Sequence, residues 1–184
     1  MEFRIQRSMN GLRFILLPLC VFLLFACATT PSTYEDAISQ WKSYKDVAKW
    51  MSWHFSYDMQ RYNETVGKGP LRFPPRKPQE TFRLRSGVCY DAAVFAKATL
   101  NRIDSSYVAK IVVIEDPSDS YVFQHFVCSF KKDGKLFIMD YGTPHRNMVG
   151  IHGPYNSLDE YTKFFERNHP IVNHVNSIYY WTLY

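Results

Sequence analysis

Cysteine is scarce in this chain. There are four in 184 residues, and two of them, Cys20 and Cys27, fall in or at the end of an apolar leader. Only Cys89 and Cys128 remain for a folded body, so at most one disulfide, Cys89–Cys128, is open to it. Ligand spacing for a metal is also lacking. Neither His145 with His152 nor His169 with His174 has the spacing of a zinc site, so no metal or cofactor is expected. There is one long apolar run, Phe14 to Ala26, and it is short of the about 20 residues that a membrane-spanning helix needs. Excess charge is missing too. The formal net charge of +5 includes Arg4, Arg7 and Arg13 against Glu2 in the leader, so the remainder is only mildly basic and no nucleic-acid partner is implied. No internal repeat or low-complexity tract is present. What is abundant is aromatic: 13 Tyr and 14 Phe, which suits a core containing β-structure.

The leader reads as an export signal, with a basic start and an apolar stretch of h-region length. It ends Leu24-Phe25-Ala26-Cys27, which resembles the lipobox of bacterial lipoproteins, with Phe25 in place of the usual small residue. On that reading residues 1–26 are the signal, Cys27 becomes the lipid-modified N-terminus, 27–33 form a short tether and 34–184 a single domain. Ala28 after Cys27 points to an outer membrane facing the periplasm in a Gram-negative host. The alternative is a secretory signal cut after Ala28, with Ala26-Cys27-Ala28 as the small-x-small site. Either reading exports the protein, and the first adds a membrane partner through the lipid anchor.

Apolar residues from Ala37 to Tyr62 recur at helical spacing and predict one long helix over 34–62, with Thr33 as N-cap and Asp36 three residues on. Residues 63–80, rich in Pro and Gly, read as a loop. A second helix begins near Cys89, with Ser86 as a candidate cap and an apolar stripe of small residues through Ile103. Strands follow at 107–114, 121–130 and 135–140, the last two joined across Asp133-Gly134. Ser157-Leu158-Asp159-Glu160 opens a further helix with Tyr161, Phe164 and Phe165 inward, closed by Asn168-His169-Pro170. A last strand runs from about 175 to 183. The order gives an α+β domain, with the helix bearing Cys89 packed on a mostly antiparallel sheet.

Hairpin geometry links two of the chemically interesting residues. With a two-residue turn Lys132 faces Lys135, Asp140 faces Val127, and His125 is diagonal to Asp140. With a four-residue loop His125 faces Asp140 directly. Both registers place His125 and Asp140 on one sheet face, whereas a three-residue loop or a bulge would separate them. Cys128, three residues from His125, points to the opposite face. It reads as a buried structural thiol, and a Cys89–Cys128 disulfide requires the parity to fail. Cys89, at a helix N-terminus, has unpaired N–H groups and the macrodipole to favour a thiolate. Thiol, imidazole and carboxylate are then the parts of a nucleophile, its base and its orienter. The Cys89 N–H is a natural oxyanion donor, and Gln79, Trp50, Trp53 and Tyr57 are candidates for a second.

Ser86-Gly87-Val88-Cys89-Tyr90-Asp91-Ala92-Ala93 resembles the Gly-x-Cys-x-Asp helix start of the transglutaminase-like superfamily. Gln124-His125-Phe126-Val127 is similar to its His strand and Ile138-Met139-Asp140 to its Asp strand. The resemblance covers roughly residues 34–145. It implies a papain-like, transglutaminase-like core, a catalytic Cys89-His125-Asp140 triad and a protein or peptide substrate. Some exported cysteine proteinases of this type hold calcium with acids around the Cys. Here Val88 and Tyr90 occupy those flanking positions, and Asp91 reads as a helix-start acid. The family includes peptidases, amidases, cross-linkers and inactive binding modules. The expected activity is therefore a cell-envelope thiol hydrolase working through a thioester. The alternatives are acyl transfer to an amine and a non-catalytic binding lipoprotein. A murein endopeptidase of the other common Cys–His type would carry Asp-Cys-Ser-Gly around its nucleophile, a context Val88-Cys89-Tyr90-Asp91 does not match. The basic residues Lys68, Arg72, Arg76, Lys77, Arg83 and Arg85 read as a solvated loop, or as a face for anionic headgroups or an acidic substrate.

Overall fold

A computed structural model describes residues 31–66, 73–118 and 121–182. The leader and Cys27 lie outside the described residues. Among those described, no helix is long and apolar enough to cross a membrane.

The N-terminal stretch is three helices instead of one: α1 (Tyr34–Gln40), α2 (Tyr44–His54) and α3 (Met59–Thr65). The capping at Thr33 is as expected, with its side chain accepting from Asp36 N–H while the Asp36 carboxylate accepts from Thr33 N–H. The first break has two causes. Trp41 turns extended and packs its ring against Trp50 and Phe82. The Asp46 carboxylate then takes the N–H groups of Lys42 and Ser43, each at 2.9 Å, and starts a new helix. At the second break, strand β1 (Ser56–Tyr57) pairs in parallel with β2 (Ser86–Gly87), and Asp58 caps α3 by accepting from Arg61 N–H. Apolar spacing survives the first break because α1 and α2 both bury apolar residues in one core, so periodicity alone could not reveal it; α3 buries none of its residues.

The segment expected to be loop, 63–80, overlaps helix at both ends: α3 runs to Thr65, and α4 (Pro78–Leu84) begins before the segment closes. Pro78 sits in its first turn, where the missing N–H costs nothing, and Arg85 ends it in a left-handed conformation at φ 55°. Next come α5 (Cys89–Ile103) and the strands β3 (Lys110–Ser118), β4 (Tyr121–Lys132) and β5 (Lys135–Asp140). Strand β6 (Gly150–Tyr155) was not anticipated, since its glycines and proline hide it; it lies on the sheet edge, where proline is tolerated. Helix α6 (Leu158–Asn168) and β7 (Ser177–Trp181) complete the chain. Ser157 caps α6 as expected, but the Glu160 carboxylate reaches back to Asn156 N–H.

The sheet has order β6-β5-β4-β3-β7 and every neighbouring pair is antiparallel. Helix α5 covers one face together with α1, α2 and α4; its Phe95, Ala96 and Leu100 share a core with Cys128, Phe130 and Met139. Helix α6 covers the other face, where Tyr161 and Phe165 pack with Val112, Ile114, Val127 and Ile138. This is the α+β architecture expected from the element order.

Candidate functional site

The β4–β5 hairpin takes the two-residue turn. Lys132 faces Lys135, and Asp133 and Gly134 both have positive φ, 51° and 74°, which suits a tight hairpin turn. His125 and Asp140 are therefore diagonal neighbours on the α6 face of the sheet. His125 Nε2 and Asp140 Oδ2 are 2.7 Å apart, and both residues are buried. The second carboxylate oxygen, Oδ1, accepts from Gly142 N–H at 3.2 Å. Both oxygens of a buried carboxylate are thus engaged, and the imidazole is held by one nitrogen with Nδ1 left for another partner.

Cys89 is the neighbouring thiol. It lies on the first residue of α5, half-buried, and near enough to the His125 side chain to favour its charged form. Helix α5 packs on the opposite sheet face from His125, so an opening is needed. The β4–β5 ladder ends at Cys128 and Met139, and beyond Asp140 the chain leaves β5. Gly142 makes the approach close: a Cβ built there would stand 2.4 Å from Cys89 Cα and 3.1 Å from its backbone nitrogen. The tip of α5 thus occupies the space that β5 vacates, and reaches His125 past the strand end. Nothing in the sequence argument singled out Gly142; its signal is a glycine two residues after the carboxylate.

Burial opposes charge on His125, but the Asp140 carboxylate, its hydrogen bond and Cys89 outweigh it and raise the ring to about 10 from an ordinary 6.5. A ring so placed is cationic at neutral pH. Phe165 stacks on it, with centroids 6.1 Å apart and planes at 30°. His169 lies close by and is driven the other way, down to about 4, by burial and by the fields of His145 and His125. Its Nδ1 accepts N–H groups of Val172 and Ile171 at 2.9 and 3.3 Å, which fixes a neutral ring with its proton on Nε2. This ring lies edge-on to His145 with centroids 4.9 Å apart.

Cys128 points away from His125, as strand parity requires. It is fully buried against α5, and burial raises its thiol far above the ordinary range. Both described cysteines are free. Of the four candidate oxyanion donors, Trp50 is stacked in the core on Phe82, and Trp53 is 75% exposed beneath Lys49. Gln79 lies beside Glu35 on α1. Tyr57 stands beside the site, pairing across β1–β2 with Gly87, two residues before Cys89.

Asp91 is more than a helix-start acid. It is completely buried and receives Arg61 through two bonds, Nε to Oδ2 at 2.6 Å and Nη2 to Oδ1 at 3.0 Å. The N–H groups of Arg76 and Val88 also donate to it, at 2.7 and 2.9 Å. Val88, not Ser86, is therefore the N-cap residue, and its N–H is met by the acid on the next turn. Arg61, which lies in α3, went unremarked in the sequence. Arg76 is no solvated loop residue: its guanidinium bridges the Asp58 carboxylate and the Ser86 carbonyl. Among the described residues no group of three or more His, Cys, Asp or Glu side chains is placed to hold a metal ion.

A family model described as a transglutaminase-like domain matches residues 34–173. The chain belongs to this family, and its α+β core is of the papain-like, transglutaminase-like kind. A curated relative, UPF0252 protein PH0672 of Pyrococcus horikoshii, is 28% identical over 111 residues, covering 59% of this chain and 31% of the relative. The chain thus spans less than a third of that relative's length. A solved structure described as a TGase aligns with 72% of this chain and 30% of its own at 16% identity, with a TM-score of 0.35.

Proposed function

We propose that this protein is a thiol hydrolase acting on peptide or amide bonds, with Cys89 as nucleophile, His125 as base and acid, and Asp140 as orienter. The observation that carries the reading is the position of His125, held at 2.7 Å by a buried carboxylate and neighboured by a thiol at a helix N-terminus that favours its charged form. Such an arrangement supports a resting thiolate–imidazolium pair. Thiolate attack on a carbonyl carbon forms the C–S bond, and the oxyanion meets the Cys89 N–H. The His125 proton passes to the leaving amine as the C–N bond breaks. Water, deprotonated by the ring, then releases the acid from the thioester and restores the thiolate–imidazolium pair. An amine taking the place of that water would make the same site an acyltransferase.

The leader supports placement of this activity at the cell envelope, lipid-anchored through Cys27, with a protein or peptide as partner. The test is incubation with a casein-derived peptide mixture, read by mass spectrometry for new termini and for an acyl adduct on Cys89. Cleavage that needs Cys89 supports the reading. Isopeptide products with added amine would favour transfer. Absence of product and adduct, with Cys89 inert to alkylation, would leave a binding module.

A further inference from the structure

The nucleophile shares its helix turn with a buried negative charge. Asp91 is two residues from Cys89, fully enclosed, and pressed so closely by Gly87 that a Cβ there would lie 2.6 Å from its own Cβ. An acid near a helix N-terminus ordinarily stabilises the helix. Here the same helix end must also carry a thiolate, and a bare buried carboxylate beside it would oppose that second negative charge. Arg61 answers this directly. It comes from α3, forks onto both carboxylate oxygens at 2.6 and 3.0 Å, and is itself stacked on Phe73 with its guanidinium 4.4 Å from the ring centre. The side chain is therefore fixed, and its charge lies on Asp91.

We propose that Arg61 and Asp91 form a positioning pair for the nucleophile: Asp91 fixes the turn through Val88 N–H, and Arg61 cancels its charge so that Cys89 can ionise against His125. This rests on the reading of Cys89 as nucleophile. The ionisation moves one proton from Sγ to the imidazole and needs no other group. The charged and titratable groups around the thiol are His125 on β4 and Asp140 on β5, with Asp91 and Tyr90 on its own helix. Arg61 comes from α3 and Asp58 caps it, Arg76 precedes α4, and His145, His169 and Tyr161 lie beyond the imidazole. Among these, the Arg61–Asp91 pair can be altered in either sign without touching the triad.

The experiment is the pH dependence of iodoacetamide labelling at Cys89 in the full chain, with Cys128 read separately by peptide mass spectrometry. Arg61→Gln should move the midpoint up by about one pH unit, an about tenfold loss of rate on the acid side. Asp91→Asn should move it down, and the double variant should return it near the parent value. Arg61→Lys keeps the charge without the fork and should hold the midpoint; it keeps the test decisive should Arg61→Gln fail to fold. A pair that only packs the turn would lower stability in every variant and shift all midpoints alike or not at all, and that pattern would overturn the proposal. If Cys89 in the parent protein labels no faster than Cys128, the nucleophile reading itself falls, and this inference with it.

Discussion

The tip of α5 and the middle of β4 each carry a cysteine, and the protein treats the two differently. Cys89 is half-buried at a helix N-terminus, with an imidazole nearby and a strand end that makes room for it. Cys128 lies mid-strand in apolar packing, where its hydrogen-bond acceptor is the Ser129 carbonyl at a long 3.6 Å and burial holds it protonated. Polarity, access and a nearby base are what separate a reactive thiol from an inert one, and the proposed function assigns the first kind to Cys89 and the second to Cys128. Sequence position within an element decides which set of surroundings a cysteine meets.

Substitution should widen that contrast. Cys89→Ala is expected to remove turnover altogether, a fall of about 10⁴-fold or more, with circular dichroism unchanged. Retained cleavage in that variant would end the nucleophile assignment. Gly142→Ala should be nearly as damaging, because its methyl must enter the backbone of Cys89 at 2.4 Å. Overpacking there should cost about 1–3 kcal/mol, read in urea melts, together with loss of Cys89 labelling. Asp140→Asn should keep the fold while lowering kcat by about 10²–10⁴-fold, since the ring loses its orienting charge. Cys128→Ala, by contrast, should retain most activity and reduce stability modestly, by about 1–2 kcal/mol from the small cavity it leaves.

The imidazole also predicts how stability follows pH. His125 is raised in the folded state from 6.5 to about 10, so its charged form is favoured by folding. The stabilisation is fully present below about pH 6.5 and is lost as pH rises through about 10. Urea midpoints for the parent and for Asp140→Asn should therefore differ most on the acid side of that window and converge at its alkaline end. A gap that widens with rising pH would contradict the assigned direction.

Much of the site was legible before the fold was known, for local reasons. Strand parity and an Asp-Gly turn bring His125 and Asp140 together in either even register, and the helix start near Cys89 follows from apolar spacing, although its cap is Val88 and not Ser86. What stayed hidden depends on distant packing. The two breaks in the 34–62 helix arise where Asp46 and Asp58 cap new turns and where Trp41 is drawn into the core. Strand β6 exists because β5 offers it an edge, against its own glycines and proline. Arg61 meets Asp91 across thirty residues of chain, and Gly142 is required by a contact between elements; neither can be read from neighbours in sequence. The opening at the end of β5 was hidden for the same reason. Parity showed that His125 and Cys128 face opposite ways, but not that it is Cys128 which faces α5.

The central claim is that His125 activates Cys89 and leaves Cys128 silent. The most direct test is the rate of alkylation at each thiol as a function of pH, in the parent protein and in His125→Ala. Labelling of Cys89 is expected to be fast, to persist well below pH 8 and to slow sharply in His125→Ala, while Cys128 stays unmodified until the protein unfolds. Equal labelling of Cys89 in the two proteins, or labelling of neither thiol in the folded state, would contradict it.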